Sequence, residues 1–546
     1  MSAYARKLIF VNFISCHVGR YFPFNLGLNK LFINSEACNR YLFTTKMWFQ
    51  TVYLFLGVLL PVMTKDVKDA VEERNSLLQR ELDMMLGSDI VLSDSEQKVN
   101  EIIMKLKIQE IDSGFESPQN FNCAKHFFDY KDEVRKTKLF KLIKQMPKGA
   151  LLHAHDTAIL GPDYVLQITY WDDLYVCFEE DDIRFLFAAK IPESTRGTKW
   201  QLMKDARQSS GNVEEFDAKL RKRFTIVIDN PQEIYTDINA VWTKFQNFFI
   251  ATGAMFTYMP VWEQYFYDSL KALRNDNVMY FEVRSVLPEL YDLEGNVYSP
   301  VETAKVYKKA LDRFMADYPD FIGAKLIYAP LRRVDETTMK SYVKIAREID
   351  QELPGFLAGF DLVGQEDLGH PLKKFVPELL EASKDIDFFF HAGETNWYGT
   401  TSDENLADAI VLNARRIGHA FALVKHPVLL EEVKKRNIAV EVNVVSNVVL
   451  KLVEDVRNHP LASFLAQKVP VVISSDDPGL WESDVLSHDF YVAFVGVASR
   501  HADLRLLKKL ALNSIYYSTV PNKDKVTQEF DKRWTKFIDT AVKYQS

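Results

Sequence analysis

The sequence predicts an α/β fold: a (β/α)8 TIM-type barrel with a helical extension on its N-terminal side and an insertion after the first barrel strand. Three observations predict it. Eight short apolar runs recur between residues 149 and 477, stretches of helical periodicity separate most of them, and polar residues able to do chemistry gather at the C-terminal ends of the runs. Buried parallel strands alternating with helices give the first two features. Barrels of this kind hold their sites at the strand ends, which accounts for the third.

In chain order, the first feature is "MWFQTVYLFLGVLLPVM" (47–63), with Lys46 before it and "TKDVKD" after it. It is short for a membrane span, which needs about 20 residues, and it resembles the apolar region of a secretory signal. The reading is a signal peptide over 47–64, with Met47 as the functional start and 1–46 as an upstream extension absent from the mature protein. The alternatives are an internal signal-anchor or a buried helix. An n-region starting at Met47 carries no Lys or Arg, and no Asn-x-Ser/Thr sequon occurs.

Residues 65–145 form the helical extension. One stripe holds Val67, Ala70, Val71, Leu78, Leu82 and Met85, and Gly87 ends it. A second helix follows, with Ser93 and Glu96 as a capping box and Val99, Ile102, Ile103 and Leu106 as its stripe. Such a pair either caps the core or forms a dimer surface.

The barrel occupies 146–520 and a last helix 521–546. Its strands are "GALLHAH" (149–155), "VMYFEVRS" (278–285), "IGAKLIYA" (322–329), "FLAGFDLVG" (356–364), "IDFFFHAGE" (386–394), "RRIGHAF" (415–421), "IAVEVNVVS" (438–446) and "VPVVISSDD" (469–477). Helices are expected at 300–318, 335–352, 371–384, 403–414 and 426–436, with two more, 233–250 and 260–275, between the first and second strands. The rest of that long gap, about 165–230, reads as the insertion.

The chain has 546 residues, 47% hydrophobic and 26% charged, with net charge −8. These are globular values, and the acidic balance argues against a nucleic-acid partner. No stable membrane span is expected. The cysteines are Cys16, Cys38, Cys123 and Cys177, without a CxxC pair, so a cysteine-based zinc site is excluded.

Alternate strand residues share a face, so His153 and His155 can both point into the barrel mouth. With His391 in "FFHAGE" and Asp476 in "ISSDD" they make a coherent zinc set that leaves a position open for water. Zinc lowers the pKa of water towards about 7. His419 in "RIGH" is a base for that water. Glu394, in a glycine-containing turn beyond His391, is a carboxyl that burial could keep protonated as general acid. Asp477, beside Asp476, is placed to accept a hydrogen bond from substrate. Asp361, Glu366, Asn443, Ser446 and Asn447 also fall at strand ends.

The motifs "MPKGALLHAHD", "GFDLVGQED", "FFHAGETNW", "RIGHAFALVKHP", "SSDDP" and "DLRLLKKLALNSIYYS" resemble the adenosine deaminase superfamily and, within it, the secreted adenosine deaminase-related growth factors, over roughly 65–540. The resemblance implies hydrolysis of adenosine and 2′-deoxyadenosine to inosine and 2′-deoxyinosine plus ammonia. It implies one zinc per subunit on His153, His155, His391 and Asp476, with Glu394 protonating purine N1, His419 acting on the attacking water and Asp477 pairing with N7. The Gly364 amide would bond N3, Asp156 would lie near the ribose, and Trp242 would stand by the nucleoside pocket. It further implies an extracellular homodimer, with dimerisation through 65–145. The insertion would be a receptor-binding segment facing a cell-surface receptor or glycan. Three departures stand out: Ala420 replaces a glycine, Asn443-Val444 replace a Cys-Pro pair, and Cys177 lacks its partner in "STRGTKW". The competing readings are a receptor-binding growth factor with catalysis secondary, and an adenine or AMP zinc deaminase. AMP would need an Arg/Lys clamp for phosphate at the barrel mouth, and none is evident in the sequence.

Overall fold

The computed structural model describes residues 66–178, 182–194 and 199–544. The chain divides into two units, residues 1–76 and 77–546. The expected upstream extension and signal peptide lie outside the described residues.

Helix α1 (Val67–Met84) carries the first predicted stripe, and none of its residues is buried. Val67, Val71 and Leu78 are exposed, Leu82 is half-buried, and Met85, just past the helix, packs against the core. Helix α2 (Asp94–Glu116) starts with the expected capping box: Ser93 Oγ accepts from the Glu96 amide, and the Glu96 carboxylate accepts from the Ser93 amide. Its stripe is buried at Val99, Ile103 and Leu106 and half-buried at Ile102.

The Glu96 carboxylate also accepts from Lys508 Nζ and Trp534 Nε1, both at 2.7 Å, joining α2 to the C-terminal helices. Burial alone would raise its pKa, but Lys508, the Ser93 amide and Trp534 outweigh burial and bring it down to about 2. A carboxyl below its unfolded value adds stability above about pH 4.5 that is lost as the pH falls towards 2. Glu96→Gln is therefore expected to lower stability at pH 7 by about 1–2 kcal/mol and to flatten the stability–pH curve across that window. Urea titrations at pH 3 and 7 read both effects, and an unchanged slope would remove Glu96 from the account.

All eight predicted barrel strands form. They begin with β1 (Gly149–His155). The insertion then contributes a small antiparallel sheet of β2 (Leu174–Phe178), β3 (Ile183–Phe187) and β4 (Gln201–Leu202), ordered β3-β2-β4. Cys177 on β2 and Cys123 are both buried and free, so they do not pair. Helices α3 (Ile238–Phe256) and α4 (Met259–Asn275) follow. The first starts later than its apolar periodicity suggests because the Asp237 side chain caps the Asn239 and Ala240 amides.

The remaining barrel strands are β5 (Val278–Ser285), β6 (Gly323–Tyr328), β7 (Leu357–Phe360), β8 (His391–Ala392), β9 (Arg416–His419), β10 (Ala439–Val442) and β11 (Val471–Ile473). They lie in two parallel sheets, β1-β5-β6-β7 and β8-β9-β10-β11. Two single bridges, Phe360 with Phe388 and Ala154 with Asp476, close the ring. Between strands stand α5 (Pro300–Asp317), α6 (Glu336–Glu352), α7 (Val376–Ala382), α8 (Thr401–Val411) and α9 (Pro427–Lys435).

Four expectations need correction: the fourth and fifth strands, expected over 356–364 and 386–394, span only Leu357–Phe360 and His391–Ala392, and two other elements change type in part. The helix at 371–384 is a 3-10 turn, Leu372–Phe375, that runs into α7. The seventh strand stops at Val442, and 444–446 open the helix α10 (Val444–Val449) instead. The valine-rich run favours a strand locally. Beyond Val442, however, the neighbouring strand β11 ends, the Ser474 amide makes the last ladder bond to Val442, and a helix satisfies its own backbone.

Candidate active site

The strand ends bring the predicted residues to one place. His153 and His155 share a face of β1, His391 opens β8, and Asp476 follows β11 in a left-handed conformation with φ 61°. One ligand atom from each of these four residues lies within 4.8 Å of the others. His153 Nε2 and Asp476 Oδ1 are buried without a hydrogen-bond partner and lie 3.3 Å apart, and His155 Nε2 is 3.1 Å from the same oxygen.

Unpartnered imidazole nitrogen and carboxylate oxygen converging in a buried pocket suit a divalent cation. The far side of the rings agrees. His153 Nδ1 pairs with Glu441 at 2.8 Å and His391 Nδ1 with Asp361 at 2.6 Å, leaving each Nε2 for the centre. Burial pushes His391 down to about 4, so its ring is neutral and its lone pair free.

Beneath the ligands lies an ionic network that sequence reasoning missed. Arg284 donates to Asp361 (2.8 Å), to Glu441 (2.6 Å) and to the carbonyls of Leu152 and Phe389. Arg416 donates to Glu441 and Glu282, both at 2.6 Å. All these side chains are fully buried. Burial would raise the carboxylates of Asp361 and Glu441. The paired His391 and Arg284 outweigh it at the first, Arg284 and Arg416 at the second, and both stay well below the usual range. The signal was present in the chain: Glu282, Arg284, Arg416 and Glu441 interrupt runs otherwise apolar enough to be buried.

Glu394 follows Gly393, whose φ of 74° suits glycine and whose added Cβ would meet Leu406 at 2.7 Å. Burial first, then the charges of Asp476 and Glu366, push the Glu394 carboxyl well above the usual range. His419 ends β9 with φ 58°, and Ala420, in the glycine's place, has φ 44°, so both sit in the left-handed region that side chains disfavour. Strain of this kind gathers at functional sites. His419 Nδ1 is 3.4 Å from Glu394 Oε1 and 3.2 Å from the Asn447 amide, and Nε2 is 3.3 Å from the Asn443 amide, the residue in the Cys-Pro position. Burial holds His419 well below its ordinary pKa.

A pocket of about 630 Å³ opens over this cluster, lined by every predicted site residue except His153. Trp242 is both packed edge-on against Phe245 and part of the pocket wall, and Gly364 enters with φ 106°. Asp156 is tied down by Tyr307 Oη at 2.6 Å. Asp477 is buried with Oδ1 unpartnered, and burial and Asp476 push its carboxyl up. The sequence reading casts it as an acceptor; protonated, it is also a donor. Gln365 and Asn239, joined at 2.7 Å across the mouth, were not foreseen. Arg332 and Arg333 also line the pocket, two cations the sequence reading did not place at the barrel mouth; Arg332 Nη2 donates to the carbonyls of Leu362 and His391, while its Nε and Nη1 are buried without a hydrogen-bond partner.

A second, overlapping group, Glu394, His419 and Asp476, is close enough to hold a cation. The set of three histidines and Asp476 offers four ligand atoms against three and includes the unpartnered His153 Nε2, so it is preferred.

Two family models match the chain: adenosine deaminase over residues 221–532 and adenosine/AMP deaminase N-terminal over 63–143. An adenosine deaminase of Lutzomyia longipalpis is 46% identical over 473 residues, covering 86% of this chain and 93% of that protein. Adenosine deaminase 2 of Homo sapiens is 41% identical over 481 residues, covering 86% and 94%. The solved structure of an Arabidopsis N6-mAMP deaminase superposes with a TM-score of 0.53 at 18% identity, covering 72% of this chain and 99% of that one, which shows a shared fold. The chain belongs to the adenosine deaminase family, in the branch of the adenosine deaminase-related growth factors.

Proposed function

We propose that the protein is a zinc-dependent adenosine deaminase that adds water across C6 of adenosine or 2′-deoxyadenosine and releases ammonia and the corresponding inosine. The observation that carries this reading is geometric: a buried Glu394 carboxyl 3.4 Å from the buried His419 ring, beside three histidines and an aspartate whose ligand atoms converge. His153, His155, His391 and Asp476 would hold the zinc, one per subunit, which when bound supplies water acidified towards neutrality. His419, with Nε2 3.8 Å from Asp476 Oδ2, takes the proton of the attacking water. Glu394 delivers its own proton to purine N1, so that C6 accepts the incoming oxygen; the proton held by His419 then passes to the amino group, which leaves C6 as ammonia, and the proton of the new hydroxyl returns to Glu394. Asp477 pairs with N7, the Gly364 amide with N3, and Asp156 and Trp242 hold the nucleoside. A purine site needs such fixed polar groups in an otherwise apolar cavity.

The test is the change in ultraviolet absorbance as purified protein converts adenosine. Wild type should convert it, and His391→Ala should lose metal and at least about 10²-fold in rate, because it removes a ligand rather than a neighbour. Equal rates for the two proteins would dismiss the metal assignment, and no conversion by wild type would dismiss the reaction. AMP is the second reading, because Arg332, with Nε and Nη1 unpartnered, and Arg333 both line the pocket and could meet a phosphate. Comparing AMP with adenosine in the same assay decides between them.

Secretion and dimerisation are proposed on the apolar stretch 47–63 and on the exposed Val67, Val71 and Leu78 of α1. Among the described residues, no helix is long and apolar enough to cross a membrane. The N-terminal sequence and the solution mass of exported protein test both; a mature chain that still carries 47–63, or a monomer, would refute one or the other.

A further inference from the structure

We propose that Glu366 positions the general acid: its carboxylate grips the turn carrying Glu394 by two successive backbone amides. The inference rests on the reading of Glu394 above and extends it to a residue that does not touch substrate.

Glu366 opens the 3-10 turn Glu366–Leu368 after β7, and its side chain is fully buried. Oε1 accepts from the Gly393 amide at 2.9 Å and from Asn405 Nδ2 at 2.6 Å. Oε2 accepts from the Glu394 amide at 2.7 Å. Arg332 Nη1 stands 3.7 Å away and balances the charge, while Arg332 Nη2 holds the carbonyls of Leu362 and His391 on the strand leading into the turn.

β8 is only two residues long, so the amides that follow it have no ladder to join. Left unpaired in the interior, two N–H groups would be costly. A carboxylate satisfies both and leaves an acceptor for Asn405. Glutamine cannot: it has one oxygen, and its NH2 would face an N–H. With the backbone of Gly393 and Glu394 pinned, the Glu394 side chain leaves the turn in one direction, with Oε1 3.4 Å from His419 Nδ1. Glu366 itself is not among the residues lining the pocket. Its effect on the reaction must pass through Glu394, and so it is a positioning residue.

The full-chain enzyme tests this by steady-state kinetics with adenosine and by metal analysis. Glu366→Gln should lower kcat by about 10–100-fold, the range for supporting partners, with KM changed by less than about threefold and the metal content unchanged. In a Glu394→Gln background the same change should lower the residual kcat by less than about twofold, because the group it aims is already gone. Glu366→Asp keeps both oxygens but withdraws them by one methylene, and should fall between wild type and Glu366→Gln in kcat at unaltered KM. This variant carries the test if Glu366→Gln does not fold. Wild-type kcat in the glutamine or aspartate variant would overturn the proposal. So would equal losses in both backgrounds, or a loss that tracks missing metal. If Glu394→Gln itself has wild-type kcat, the assignment of Glu394 has failed rather than that of Glu366.

Discussion

Glu394→Gln is expected to lower kcat for adenosine by about 10²–10⁴-fold, the usual worth of a positioned general acid, while metal content and fold stay as in wild type. The substitution preserves size and shape but exchanges a carboxyl that burial keeps protonated for an amide that cannot release a proton to purine N1. The paired readout matters because Glu394 also falls within reach of the overlapping group with His419 and Asp476. Were it a ligand, the variant would lose metal together with activity. Retained metal with collapsed kcat assigns it to proton delivery, and kcat within about threefold of wild type would remove it from the reaction.

The second large effect is on stability. Arg284→Met should destabilise the barrel by about 3–5 kcal/mol, the cost of leaving buried charge uncompensated. Arg284 is the link between Asp361 and Glu441, and each of those carboxylates orients one histidine of the proposed ligand set. Without the guanidinium, two carboxylates face each other's field in the barrel interior, and the carbonyls of Leu152 and Phe389 lose their donor. A urea midpoint equivalent to a loss of under about 1 kcal/mol would mean that water or rearranged partners replace the arginine. Because both histidines lose their backing, weaker metal retention should accompany the instability.

The barrel was legible because its strands are buried on both faces and so read as apolar runs; β5, for example, is buried at all eight positions. The seventh strand end was misread because "NVVS" has strand propensity, while tertiary context decides the backbone there: the ladder stops, and the Val445 amide finds Asp489. The proposed ligands were legible because imidazole and carboxylate at several strand ends have one economical explanation. Their supporting shell was not. Arg284 and Glu441 act from inside strands, and a sequence shows that a charge interrupts an apolar run without showing which of several distant charges meets it. The Glu366 grip on Gly393 and Glu394 depends on the separation of two loops in space, which no local pattern encodes.

The closing bridge of the barrel, Ala154 with Asp476, has a consequence for how the enzyme matures. Its first and last strands come from opposite ends of the barrel sequence, so this joint needs nearly the whole barrel chain to be present. Two proposed ligands, His153 and His155, flank one side of that joint, and a third, Asp476, forms the other. A nascent chain short of residue 476 therefore has no complete site, and metal capture must wait for ring closure. An ion held by these residues would bind only the closed ring and so draw the equilibrium towards it, and chelation should therefore lower the urea midpoint as well as the rate.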